Sequence, residues 1–212
     1  MEKQGKFITF EGPDGSGKTT QMALLGDFLR QQGFSLILTR EPGGTPIGDQ
    51  IRSVLMALKN QEMQPRTEIL LFQASRAQLV EQVILPNLAQ GAVVLCDRYA
   101  DSTLAYQGYG YRCFTLEQLR PLIAFATGGL TPDLTLLLDV EVEVGLRRRM
   151  KKGDWNRLDA YDLPFHQRVR QGYLEMALAE PQRWVVIDAG QSPEKVQAEI
   201  RRVVLERLGL AV

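Results

Sequence analysis

Near its start the chain carries Gly12-Pro13-Asp14-Gly15-Ser16-Gly17-Lys18-Thr19, which fits G-x-x-x-x-G-K-[ST] at every fixed position. The flanks are those the pattern needs. Phe7-Ile8-Thr9-Phe10 is an apolar run that predicts a strand, and Met22, Leu25, Phe28 and Leu29 recur at helical spacing behind the motif. A strand that turns through glycines into a helix aims backbone N–H groups, and the positive end of the helix dipole, at one spot. Phosphate oxygens suit that spot. Lys18 can reach the β- and γ-phosphates, and the Thr19 hydroxyl can sit on Mg²⁺. The stretch therefore predicts a bound nucleoside triphosphate and commits the chain to a strand–loop–helix start.

The rest of the chain extends that start. The first helix should stop near Gly33, and Phe34 to Thr39 alternates into a second strand. Arg40-Glu41-Pro42-Gly43-Gly44 forms a loop, then Thr45 caps a helix with Pro46 at its first position. That helix carries Ile47, Ile51, Val54, Leu55 and Leu58 on one side. A longer helix is predicted over 67–89, with Pro86 limiting or kinking its end. Ala92 to Cys96 has the pattern of a strand buried on both faces, ending in Asp97-Arg98-Tyr99. A helix over about 116–126 and a strand over 134–138 ending at Asp139 come next. A basic helix from Leu146 to Lys152, a polar loop and an amphipathic helix through Phe165, Val169, Tyr173 and Ala177 follow. The fifth strand is Trp184 to Ile187, ending at Asp188, and Ser192-Pro193-Glu194 opens the last helix.

Five apolar strands separated by helices imply a three-layer α/β fold of the P-loop kind, a five-stranded parallel sheet with helices on both faces. The expectation is one domain over 1–212, with a basic lid segment at about 146–160. Ligands gather at the C-terminal strand ends, where Asp14, Glu41, Asp97, Arg98 and Asp139 all fall by this reading. Lysines plus arginines equal aspartates plus glutamates, 25 against 25, so no net field recruits nucleic acid or a membrane. No hydrophobic leader follows Met1 and no apolar run approaches a membrane span. Cys96 and Cys113 make no disulfide framework, and a reducing cytoplasm is the expected setting.

The motif alone suits GTPases, motors, transporters and small kinases. The Asn-Lys-x-Asp of common GTPases is absent, as is the Leu-Ser-Gly-Gly-Gln signature of transporter ATPases. Present instead are Asp97-Arg98 at a strand end and a second basic cluster from Arg147 to Lys152. Transfer between two bound phosphates needs positive charge on both sides of the moving group, which favours a kinase with a phosphorylated acceptor. A kinase for another nucleoside monophosphate, or a nucleotide-binding switch without turnover, are the alternatives.

Further blocks carry a resemblance. Phe10-Glu11-Gly12 through Thr20, Thr39-Arg40-Glu41-Pro42-Gly43-Gly44-Thr45 and Leu71-Phe72-x-Ala74-Ser75-Arg76 resemble bacterial thymidylate kinase. So do Asp97-Arg98-Tyr99-x-x-Ser102-x-x-Ala105-Tyr106-Gln107-Gly108 and Pro132-Asp133-Leu134-Thr135-Leu136, in matching order over nearly the whole chain. The resemblance implies ATP- and Mg²⁺-dependent conversion of thymidine monophosphate (dTMP) to dTDP, serving dTTP synthesis, in a homodimer. It implies that Phe72 stacks on thymine and that Arg76 donates to its carbonyl edge. Gln107 would also meet the base, and Tyr106 would crowd a ribose 2′-hydroxyl. Arg98 would hold the acceptor phosphate, with Glu41 and Ser102 in the same substrate pocket. Asp97 would support Mg²⁺ beside Thr19, and Asp14 would hold the sugar 3′-hydroxyl or assist that clamp. Phe72 and Arg76 stand four apart on a predicted helix and so share a face.

One branch of that family places an arginine inside the phosphate loop. Here the variable positions are Pro13, Asp14, Gly15 and Ser16, so the lid should supply the cation. The family's lid pattern Asp-Arg-x-Glu stands here as Asn156-Arg157-Leu158-Asp159, and Lys152 occupies a usual arginine position. Arg157 ranks first, Arg149 second and Lys152 third, because only arginine offers bidentate phosphate geometry. His166 and Trp155 receive no role.

Overall fold

The computed structural model describes residues 5–153 and 155–209, apart from the side chains of Lys152 and Leu208. Its strands are β1 (Lys6–Glu11), β2 (Leu36–Arg40), β3 (Val93–Asp97), β4 (Leu134–Asp139) and β5 (Trp184–Asp188). All pair in parallel, in the order β2-β3-β1-β4-β5. Along β1 the side chains alternate between two cores, Ile8 and Phe10 on one face and Phe7 on the other.

The helices are α1 (Lys18–Gln31), α2 (Pro46–Met56), α3 (Pro65–Leu79), α4 (Leu85–Ala89) and α5 (Ala100–Thr103). Then come α6 (Leu116–Thr127), α7 (Val142–Lys152), α8 (Leu163–Ala179) and α9 (Pro193–Leu208). Leu25 and Leu29 of α1 and Val196, Ile200 and Val203 of α9 pack on the Ile8/Phe10 face. On the other face Leu137 meets Phe165, Val169 and Tyr173 of α8, while Phe7 and Val94 meet Leu79 and Ile84. The expected three layers are present. Register brings the strand ends level, with Phe10 and Arg40 on either side of Asp97.

Several expectations change at this level. The long predicted helix is α3 and α4 joined by a π-helical turn, Val80–Ile84. Pro86 brings no N–H to the ladder, and the widened turn just before it absorbs that loss. A second π-helical turn, Leu104–Gly110, follows α5 and carries Tyr106 and Gln107, where the sequence predicted only a motif. On α2 only Leu55 of the apolar stripe is buried, while Ile47 and Val54 stay exposed, as does Leu58, which falls beyond the helix end. Thr45 caps α2 as expected, its hydroxyl accepting from the Gly48 amide at 2.9 Å. Ser192 holds the cap position of α9 but its side chain makes no capping bond. Asp139 leaves the predicted site altogether: Arg170 of α8 donates to it twice, at 2.7 and 2.9 Å.

Candidate active site

A cleft of about 770 Å³ opens over the C-terminal ends of β1, β2 and β3. The phosphate loop forms one wall, and its glycines are placed by close approach. Gly12 and Gly15 take φ of 133° and 75°, and a Cβ on either would strike the backbone oxygen of Leu138 or Gly145. The contact with Gly145 sets the first turns of α7 against the loop. Lys18 curls into the loop, donating to the Gly12 and Pro13 carbonyls at 3.0 and 2.9 Å and to Ser16 Oγ at 3.4 Å. Burial, and then the nearby Arg98 charge, bring its ammonium down to about 8, so it stays cationic at neutral pH.

Arg98 stands at the next strand end in a left-handed backbone conformation, φ 70°, rare for a side chain of its size. Its Nη2 donates to Asp14 Oδ1 at 2.8 Å and to the Tyr106 hydroxyl at 3.0 Å. The Tyr106 hydroxyl in turn donates to Asp14 Oδ2 at 2.6 Å, and the guanidinium lies 5.0 Å over its ring. Burial alone would raise the Asp14 carboxyl, but Arg98, Lys18 and the Tyr106 bond outweigh it and hold it well below the usual carboxylate range. Asp14, Arg98, Tyr106 and Ser102 are thus brought together as expected.

Beneath them lies a residue that sequence reasoning passed over. Glu11 is fully buried, and it accepts from the Tyr99 amide at 2.8 Å, Ser102 Oγ at 2.7 Å and the Tyr173 hydroxyl at 2.8 Å. Ser102 and Tyr173 both face Arg98 Nη1, at 3.3 and 3.0 Å. The Tyr99 bond pins the residue next to the strained Arg98 backbone. Burial pushes the Glu11 carboxyl up to about 7 against the pull of Arg98. A charged residue closing an otherwise apolar strand was the available signal.

The Thr19 hydroxyl donates to Asp97 Oδ2 at 2.7 Å at the cleft mouth. Among the described residues no three His, Cys, Asp or Glu side chains converge on a metal cage. Mg²⁺ on phosphates needs none, because it keeps several waters and takes one or two protein oxygens. A carboxylate and a hydroxyl in contact beside the phosphate loop fit that requirement. Arg52, also missed in the sequence, lines the same cleft, donates to the Pro42 carbonyl at 2.9 Å and feels the charges of Arg40, Asp97 and Arg149.

At the far end Phe72 and Gln107 line the cleft, with Glu41 along its side. Arg76 does not join them. It is 1% exposed and donates four hydrogen bonds, to Glu41 Oε2 at 2.8 Å, Gln73, Thr103 and the Tyr99 carbonyl, with Nη2 also ion-paired to Glu41 Oε2 at 2.6 Å. The expected donation to a base edge is therefore not the arrangement held here. Glu41 Oε1 is buried and makes no hydrogen bond, and burial raises its carboxyl despite Arg76.

The lid order also changes. Arg157, ranked first, is 4% exposed and lies off the cleft. Its Nε donates to the Leu55 carbonyl at 2.9 Å and its Nη2 to Glu68 of α3. Arg149 lines the cleft beside Arg148, and Asp159 holds it at 3.1 and 3.2 Å. The Lys152 side chain lies outside the described residues. His166 is buried with Nε2 unpartnered, and Trp155 is exposed in the loop.

Residues 10–200 match the family model described as thymidylate kinase. The thymidylate kinase of Roseiflexus sp. (strain RS-1) is 53% identical over 210 residues, covering 93% of this chain and 92% of that protein. That of Deinococcus radiodurans is 53% identical over 204 residues, covering 96% and 98%. The crystal structure of thymidylate kinase from Ehrlichia chaffeensis superposes with a TM-score of 0.76 at 35% identity, covering 94% of this chain and 98% of that one. With phosphate loop, buttressed arginine and aromatic pocket in one cleft, and with these matches over nearly its full length, the chain belongs to the thymidylate kinase family.

Proposed function

We propose that the protein transfers the γ-phosphoryl group of ATP to dTMP, giving dTDP for dTTP synthesis. One observation carries this: a cluster of Arg98, Asp14 and Tyr106 shares its cleft with the phosphate loop, so two anion sites adjoin. ATP phosphates enter the loop from Gly12 to Thr19, and Lys18 exchanges the Gly12 and Pro13 carbonyls for phosphate oxygens. Arg98, aided by Arg52, holds the acceptor phosphate. Thymine stacks on Phe72 and meets Gln107. Asp14 and Tyr106 stand at the sugar, where the Tyr106 ring crowds a 2′-hydroxyl. Glu41 and Arg76 brace the pocket wall.

An oxygen of the acceptor phosphate attacks the γ-phosphorus, the bond to the β–γ bridging oxygen breaks, and ADP leaves with no proton transferred. Charge spread over the moving group is met by Lys18 on one side and Arg98 on the other. Arg149, from the lid segment at about 146–160, adds the third cation. Mg²⁺ bound by Asp97 and Thr19 would neutralise phosphate oxygens further.

The same reading makes the enzyme a homodimer. α2 packs on α3 and α3 on α6, and each leaves large apolar side chains exposed: Ile47 and Val54, Leu70, Leu122 and Phe125. It places the enzyme in the cytoplasm, in keeping with two free cysteines. No described helix is long and apolar enough to cross a membrane. An ADP-release assay over a panel of nucleoside monophosphates tests the assignment. The expected result is highest catalytic efficiency with dTMP, and a panel led by another monophosphate would sink it.

A further inference from the structure

Glu68 is fully buried on α3, one helical turn before Phe72, and it gathers donors from separate segments. Gln107 Nε2 donates to its Oε1 at 2.7 Å, the Tyr111 hydroxyl lies 2.9 Å from both oxygens, and Arg157 Nη2 donates to Oε2. Proton directions follow. A carboxylate paired with a guanidinium only accepts, so the NH₂ group of Gln107 has to face it. Tyr111 gives its proton to Glu68, and Tyr161 therefore donates to Tyr111 across 2.6 Å. With its nitrogen committed, Gln107 offers its carbonyl oxygen to the cleft it lines. That oxygen receives a donor and repels a lone pair.

We infer that Glu68 is a positioning residue that sets pyrimidine choice through Gln107, an inference that rests on the thymidylate kinase assignment above. Thymine presents N3–H and pairs with the oriented oxygen. Cytosine presents an N3 lone pair and is rejected. Arg157 is ion-paired with Glu68, so the lid segment and base selection share one carboxylate. In Glu68→Gln, Arg157 claims the new carbonyl oxygen, the new NH₂ group turns to Gln107, and the Gln107 amide flips to present donors.

The test compares kcat/KM for dTMP and for 5-methyl-deoxycytidine monophosphate, which keeps the methyl group and changes only the pairing edge. The preference for dTMP should narrow by about tenfold or more in Glu68→Gln, a typical weight for one buried hydrogen bond. Glu68→Asp, still an acceptor only, should keep most of it. A folded Glu68→Gln enzyme with the wild-type ratio overturns the inference. Should that variant fail to fold, proton exchange in the wild type decides. The Gln107 side-chain N–H signals, identified by their loss in Gln107→Leu, should be protected from solvent, and exchange as fast as exposed amides overturns it equally. A wild type that prefers neither nucleotide over other monophosphates sinks the assignment instead, while the exchange measurement still reads the Glu68 bond.

Discussion

Arg76 of α3 donates to Glu41 Oε2 through Nε at 2.8 Å, and its Nη2 stands 2.6 Å from the same oxygen as an ion pair, tying the helix to the loop after β2 inside the protein. Arg76→Ala leaves Glu41 buried without its cation. The expected cost is about 3–5 kcal/mol of stability. Urea unfolding measures it. A loss below about 1 kcal/mol together with selectively weakened dTMP binding would return Arg76 to the base edge.

Tyr106→Phe removes the hydroxyl that bridges Asp14 and Arg98 but keeps the ring. Catalytic efficiency with dTMP should fall about tenfold, the weight of a hydrogen bond to a charged group. Discrimination between deoxyuridine and uridine monophosphate should persist in Tyr106→Phe and relax in Tyr106→Ala. Equal ratios in both variants would move sugar selection elsewhere.

The two lid arginines should separate. Arg149 lines the cleft, so Arg149→Ala should lower the single-turnover rate by about 10³-fold, by analogy with arginine fingers. Arg157→Ala should instead destabilise the fold by about 3–5 kcal/mol, since it strips Glu68 of its partner. A turnover defect confined to Arg157→Ala would restore the sequence ranking.

Asp97→Asn weakens the oxygen that receives Thr19 and would face Mg²⁺. The Mg²⁺ concentration for half-maximal rate should rise at least about tenfold, as for loss of a charged ligand, with little change in dTMP affinity. Titration of Mg²⁺ at saturating ATP measures it, and an unchanged midpoint removes Asp97 from the metal site.

Glu11 gives a pH signature of definite sign. Its carboxyl rises from 4.5 to about 7 on folding, chiefly through burial, so the folded state holds the proton more tightly. Its contribution is present below pH 4.5 and is lost as pH rises through about 7. Relative to Glu11→Gln, the wild type should lose about 3 kcal/mol between those limits, at 1.36 kcal/mol per pH unit. Urea unfolding of both proteins at pH 4.5 and pH 8 checks this, and a constant difference would show that folding does not raise the Glu11 carboxyl.

The amino-acid order by itself determined the strand–loop–helix start, the five apolar strands and the gathering of Lys18, Asp97 and Arg98 at one sheet edge. Those features are local. Glycine conformation, apolar periodicity and the rule that parallel strands end together suffice for them. Partners far apart in sequence were decided only by the tertiary structure. Arg76 and Arg157 carried the right chemistry for a ligand, yet each was drawn to a buried carboxylate, Glu41 and Glu68, that no spacing rule connects to it. Burying those carboxylates without a cation would cost several kcal/mol, so the fold spends its best arginines inside. Asp139 went to Arg170 in the same way, and Arg149, second in the ranking, lines the cleft while paired with Asp159, because the glycine contact between α7 and the phosphate loop brings its helix there.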